Sequence, residues 1–146
     1  MNNNIFSVKR FIESHNKFVI TSHINPEGDA IGSQLGFAKL LKILKKEFVI
    51  YDDAPPPKLF NFFKMAGDIK FHPNVIKNNF DAAVVLDCPT IERTGHAAII
   101  IKNVPILNID HHISNSNFGE INLVEPDISS CGEMIYKLFK LFEAPI

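Results

Sequence analysis

Seven side chains that can bind a cation or move a proton stand in three short runs: His23, Glu27 and Asp29; Asp87; and Asp110, His111 and His112. Mixed imidazole and carboxylate suits a divalent ion of intermediate hardness. Carboxylates alone favour Mg²⁺ or Ca²⁺ and thiolates favour zinc, whereas a His and Asp set takes Mn²⁺ or Fe²⁺ as well as Zn²⁺. More carboxylates than one ion needs points to two ions sharing an aspartate. Two ions ~3.5–4 Å apart are suited to phosphoryl and phosphodiester hydrolysis. Taken singly, each run has an ordinary explanation. His23 could be a hydrogen-bonded turn residue, Glu27 and Asp29 could complement a helix dipole, Asp87 could cap the turn before Pro89, and paired histidines are often incidental.

The elements that carry these runs change that balance. Lys17–Ser22, Glu47–Tyr51, Asp81–Leu86 and Pro105–Ile109 read as short apolar strands, and Ile121–Val124 as a weaker one. Ile5, Val8, Phe11 and Ile12 recur at helical spacing, as do Ile31, Leu35, Ala38 and Leu41. A third helix is read over Ser129–Phe142, a short one over Leu59–Met65, and Ala97–Lys102 is read as helix or strand. Apolar strands alternating with helices predict an α/β fold: a mostly parallel sheet flanked by helices on both faces. Ligands of such sheets bind outside the carboxyl ends of the strands. All three runs fall at strand ends, which favours one shared metal site over three coincidences.

Composition narrows the setting. With 146 residues, 46% hydrophobic, and a formal charge of −1, the chain has enough apolar side chain for one core and is neither disordered nor a general polyanion binder. No run of ~18 apolar residues occurs, so no membrane span is expected. The polar start at Met1 lacks an apolar leader. Cys88 and Cys131 are far apart, which fits a reducing cytoplasm better than a disulfide scaffold. Cys88 is read as packing, Lys39, Lys42 and Lys46 as a solvated helix face, and His15, His72 and His96 as surface residues. Arg93 is a candidate phosphate contact or support for the ligands, and Ser114 and Asn115 are weaker candidates for holding the loop or a phosphate.

Three ordered motifs, HINPEGDAIGSQLG (residues 23–36), VVLDCPTIERTG (84–95) and NIDHHISNSNFGEINLVEPDISSCGEMIY (108–136), resemble the DHH phosphoesterase superfamily. The likeness runs from Phe18 to Phe142 and is greatest to the branch that cleaves short oligoribonucleotides and 3′-phosphoadenosine 5′-phosphate (pAp). The resemblance implies two Mn²⁺ ions, with Mg²⁺, Co²⁺ or Fe²⁺ as alternatives. His23 and Glu27 would hold one ion, Asp29 and His111 the second, and Asp87 would bridge them. His112 would contact the scissile phosphate, Asp110 would orient the histidine pair, and a bridging hydroxide would attack phosphorus in line. It also implies short RNA or pAp as partner, no membrane, and compatibility with a homodimer. Two departures stand out. Glu27 occupies a position where the family usually has Asp, one methylene shorter. The family's fourth-motif Asp, on a further strand, and its C-terminal DHHA1 domain would fall beyond Ile146, so residues 1–146 are expected to be a DHH domain incomplete at its C-terminus and nearly inactive by itself. A family II-type inorganic pyrophosphatase and a non-catalytic DHH domain that binds a nucleotide or a partner are the rival readings.

Overall fold

A computed structural model describes residues 4–75 and 79–146; the start of the chain at Met1–Asn3, on which the absence of a leader was read, lies outside the described residues. Five strands, β1 (Lys17–Thr21), β2 (Glu47–Ile50), β3 (Ala82–Leu86), β4 (Ile106–Asp110) and β5 (Ile121–Val124), form one sheet in the order β2-β1-β3-β4-β5. Every pair is parallel, as expected of strands that are apolar on both faces. The chain steps from β1 to β2 on one side and returns to β3 on the other. The strand order therefore reverses between β1 and β3, which opens a crevice beyond their carboxyl ends.

Helices α1 (Ile5–Ser14), α2 (Gly28–Ile43) and α4 (Cys131–Leu141) cover one face; α3 (Ala97–Ile101) covers the other. Alternate strand residues serve each side. Phe18, Ile20, Val84, Leu86 and Leu107 meet Ile31, Leu41, Met134 and Leu138, while Val19, Ala83 and Val85 meet Ala97 and Ile101. The helices start where their sequences provide caps. Asn4 accepts the Ser7 N–H at 3.0 Å, and Ser130 accepts the Glu133 N–H at 3.1 Å.

Two sequence expectations need adjustment, and one open alternative is decided. Leu59–Met65 is not one helix; two 3₁₀ turns, Lys58–Phe60 and Lys64–Asp68, replace it, because Leu59, Phe62 and Phe63 stay exposed and give no buried apolar face to stabilise an α-helix. Segment 97–102 is helical rather than extended, since β3 and β4 already pair directly and their parallel connection must cross over the sheet. Lys46 is no part of a solvated helix face. It lies beyond α2, and its ammonium donates to the Glu13 and His15 carbonyls at 3.2 and 2.6 Å, closing the end of α1. Among the described residues no helix is long and apolar enough to cross a membrane.

Candidate metal centre

The three runs converge beyond β1, β3 and β4. His23 leaves β1 with its Nδ1 2.7 Å from the Ile24 carbonyl. A carbonyl accepts only, so Nδ1 carries the proton and Nε2 presents its lone pair, 3.9 Å from Asp87 Oδ2. Asp87 directly follows β3 in a left-handed conformation, φ +53°, which aspartate tolerates better than most residues. Its other oxygen, Oδ1, lies 3.5 Å from His111 Nε2, and that same imidazole nitrogen is 3.6 Å from Asp29 Oδ2. One carboxylate thus faces a different histidine with each oxygen.

His112 is set differently. Its Nδ1 lies 2.7 Å from Asp110 Oδ1, and Asp110 is fully buried. With Nδ1 donating to this carboxylate, only Nε2 is left for the cleft. Asp110 is in turn held from the other side by the Asn115 amide, which donates to Asp110 Oδ2 at 2.6 Å and to Asn108 Oδ1 at 2.8 Å. Asn108, buried inside β4, donates to the carbonyls of Val85 and Cys88 and so laces the β3 and β4 ends together.

Asp29 has a second task. It lies in the first turn of α2, yet its carboxylate accepts the N–H groups of Cys131 and Gly132, at 2.8 and 2.9 Å, at the start of α4. Ser33 adds its hydroxyl at 3.2 Å. A Cβ at Gly132 would sit 3.4 Å from Asp29 Oδ1, an ordinary contact, so the bonding does not itself require glycine. The carboxylate is therefore oriented by two helix ends at once, and a lone pair of Oδ2 still faces His111.

These residues line an open cleft of about 310 Å³ with Glu27, Arg93, Ser129 and Ser130. Glu27 is exposed and makes no cap bond for α2, so its carboxylate is free at the cleft rim. Arg93 is exposed there too. Ser114 is exposed and does not line the cleft, and the Asn115 amide is directed into the buried Asp110–Asn108 network rather than towards a substrate. Sequence reasoning missed Asn108, Ser33, Ser129 and Ser130; the last heads the S-C-G-E capping pattern, the one available signal. A larger groove of about 660 Å³ beside Glu125 and Lys137 contains no imidazole, and Lys137 there is already paired with Glu125 at 2.9 Å.

The cleft fits a divalent cation. Asp87 Oδ1 is a buried carboxylate oxygen with no hydrogen-bond donor, and Asp87, His111 and His112 bring ligand atoms within 4.8 Å of one another. Burial, and then the nearby charge of Asp29, raise the Asp87 carboxyl to about 6; the histidines only partly offset this. A cation would replace the missing positive partner. The Cys88 thiol is pushed up to about 12 by burial, which suits packing and not nucleophilic attack. Because a proton and an ion compete for Asp87, Mn²⁺ affinity measured calorimetrically should fall about tenfold or more between pH 7 and pH 5. An affinity constant across that range would show that Asp87 does not hold the ion.

Residues 17–145 match the family described as "DHH family, N-terminal domain". Over 122 residues the chain is 30% identical to a bifunctional oligoribonuclease and PAP phosphatase of Thermus thermophilus, covering 84% of this chain and 36% of that one. It is 25% identical to the protein of the same description from Bacillus subtilis, covering 89% and 40%. A cyclic-di-AMP phosphodiesterase of Listeria monocytogenes is 27% identical over 92% of this chain and 22% of its own. The chain thus spans 36–40% of the length of the first two relatives. Among solved structures, an exopolyphosphatase-related protein from Bacteroides fragilis superposes with a TM-score of 0.85 at 26% identity, covering 94% of this chain and 43% of that one.

Proposed function

Because the chain belongs to the DHH family, of which it carries the N-terminal domain, we propose that it binds two divalent cations, Mn²⁺ foremost, and hydrolyses phosphoesters in short oligoribonucleotides and pAp. The observation that carries the two-ion reading is the divided Asp87 carboxylate, with Oδ2 towards His23 and Oδ1 towards His111. His23 and Glu27 would hold one ion, and Asp29 and His111 the other. When bound, such ions neutralise phosphate oxygens and supply an activated water nucleophile.

The chain's own residues support the rest of the reaction. His112, its Nδ1 turned to Asp110, offers Nε2 to the phosphate. With Nδ1 held by Asp110, an N–H at Nε2 would donate to a phosphate oxygen as negative charge builds there. Arg93, at the cleft rim, would neutralise a second phosphate group. A substrate with more than one phosphate, such as pAp or a dinucleotide carrying a 5′-phosphate, fits this arrangement. Two buried free thiols agree with a reducing compartment such as the cytoplasm.

The test, made on a chain in which the family's fourth-motif Asp and DHHA1 domain follow these residues, is hydrolysis of pAp, a short RNA and inorganic pyrophosphate side by side, with Mn²⁺ and with a chelator. Mn²⁺-dependent release from the first two, abolished by chelation and absent with pyrophosphate, is expected. Turnover of pyrophosphate alone would assign the chain to the pyrophosphatase reading. Mn²⁺ binding without turnover of any of the three would leave a binding domain.

A further inference from the structure

Among the described residues, one buried acid lies outside the metal centre. Asp52 follows β2, is 2% exposed, and accepts the Gln34 amide at 2.6 Å; Gln34, on α2, is fully buried. Ser22 lies beside the carboxylate, and its hydroxyl donates to the His23 carbonyl at 3.4 Å. Even so, Asp52 Oδ2 and Gln34 Oε1 have no well-formed hydrogen bond. Burial outweighs the bonds from Gln34 and Ser22 and raises the acid to about 6. Orphaned acceptors in a dry site cost stability, and two apolar side chains of similar volume would pack there more favourably.

What apolar side chains could not do is hold Ser22, and Ser22 directly precedes His23. The turn after β1 is gripped from two sides. On one, Asp52 lies against Ser22, whose hydroxyl reaches the His23 carbonyl; on the other, the Ile24 N–H donates to the Arg93 carbonyl at 2.7 Å. The next residue, Asp53, ties the second loop to the same strand end, accepting the His96 N–H on both oxygens at 2.9 Å. Gly95, at φ +64°, makes room for it, since an added Cβ would collide with the Asp53 carboxylate. The end of β2 therefore anchors both loops that border the cleft on the His23 side.

We propose that Asp52, clamped by Gln34, is a positioning residue that fixes the Ser22–His23 turn and thereby aims His23 Nε2 at Asp87. The proposal rests on the reading of His23 as a metal ligand. Its role is to limit the rotation of one imidazole, as groups behind metal ligands commonly do.

The experiment compares Asp52→Leu, Asp52→Asn and Gln34→Leu with the wild-type chain by Mn²⁺ calorimetry, nitrogen-edited NMR of the His23 ring in metal-free protein, and thermal melting. Asp52→Leu should weaken Mn²⁺ binding about tenfold or more and shift the His23 ring signals. Asp52→Asn keeps an acceptor for Ser22 and should stay within about threefold. Gln34→Leu should fall between them. Should Asp52→Leu not fold, Gln34→Leu, which leaves Ser22 and its bond to the His23 carbonyl intact, must move the same ring signals. Changed melting with unchanged Mn²⁺ affinity and ring signals would make the pair merely structural and overturn the proposal. A wild-type chain that binds no Mn²⁺ would overturn the metal reading instead, and the ring signals would still decide the positioning.

Discussion

Replacing Asp87 with asparagine should weaken Mn²⁺ binding about a hundredfold and, in the same protein, make the metal-free fold harder to unfold. The two effects have one cause. Asp87 is 5% exposed, its Oδ1 has no donor, and its carboxyl is raised from 3.8 to about 6 by burial and the charge of Asp29. A carboxylate raised in the folded state favours folding when protonated. That contribution is fully present below about pH 4 and is lost as pH climbs through 6. At pH 7 the charge therefore opposes folding, by an amount on the order of 1–3 kcal/mol. Asparagine of the same shape removes the charge and recovers most of it. With the ion the sign reverses, because the carboxylate that burdens the free protein faces both His23 and His111. Its loss should reduce Mn²⁺ affinity by about two orders of magnitude, near 2.7 kcal/mol. Denaturant unfolding at pH 7 with a chelator, and calorimetric Mn²⁺ titration, measure the two halves. A variant that is both less stable without metal and still binds Mn²⁺ would remove Asp87 from the centre.

This opposition between stability and ion binding explains what the sequence could and could not disclose. The convergence of His23, Asp87 and His111 was legible because each follows an apolar strand, and parallel strands bring their carboxyl ends together. The strand order, with its reversal between β1 and β3, was not legible, because all five strands are similar apolar runs with nothing local to say which neighbours which. Asp110 could be assigned behind the histidine pair through resemblance, and its 2.7 Å contact with His112 has that form. Asn115, read as holding the loop or a phosphate, holds the loop, donating to Asp110 and Asn108. An amide pointing inward looks the same in sequence as one pointing outward. Lys46 illustrates the same limit, since its carbonyl partners at the end of α1 are more than thirty residues distant.

Removing the Asp29 carboxylate should cost fold stability even where no metal is present. Asp29→Ala would take the acceptor from the Cys131 and Gly132 N–H groups, which have no intrahelical partner at the start of α4. It would also remove a negative charge from the positive end of that helix. Side-chain exposure is only 26%, so water cannot fully replace the lost bonds. Each charge-assisted bond of this kind contributes about 1.5–3 kcal/mol; allowing for partial rehydration, the loss should be about 2–4 kcal/mol, or a melting temperature lower by roughly 10 °C. Asp29→Asn keeps one acceptor oxygen but turns an amide towards the second N–H, so its loss should be intermediate. Ser33→Ala deletes only the 3.2 Å hydroxyl contact and should cost under about 1 kcal/mol. All three are measured by denaturant unfolding with a chelator, which separates the anchoring of α4 from ion binding. If Asp29→Ala unfolds within about 0.5 kcal/mol of the wild type, α4 is held by its apolar face against α2 alone, and Asp29 serves only the ion. If the loss is as large as expected, one carboxylate joins the first turn of α2 to the start of α4 and turns Oδ2 towards His111. Metal affinity and the docking of the last helix would then depend on the same side chain.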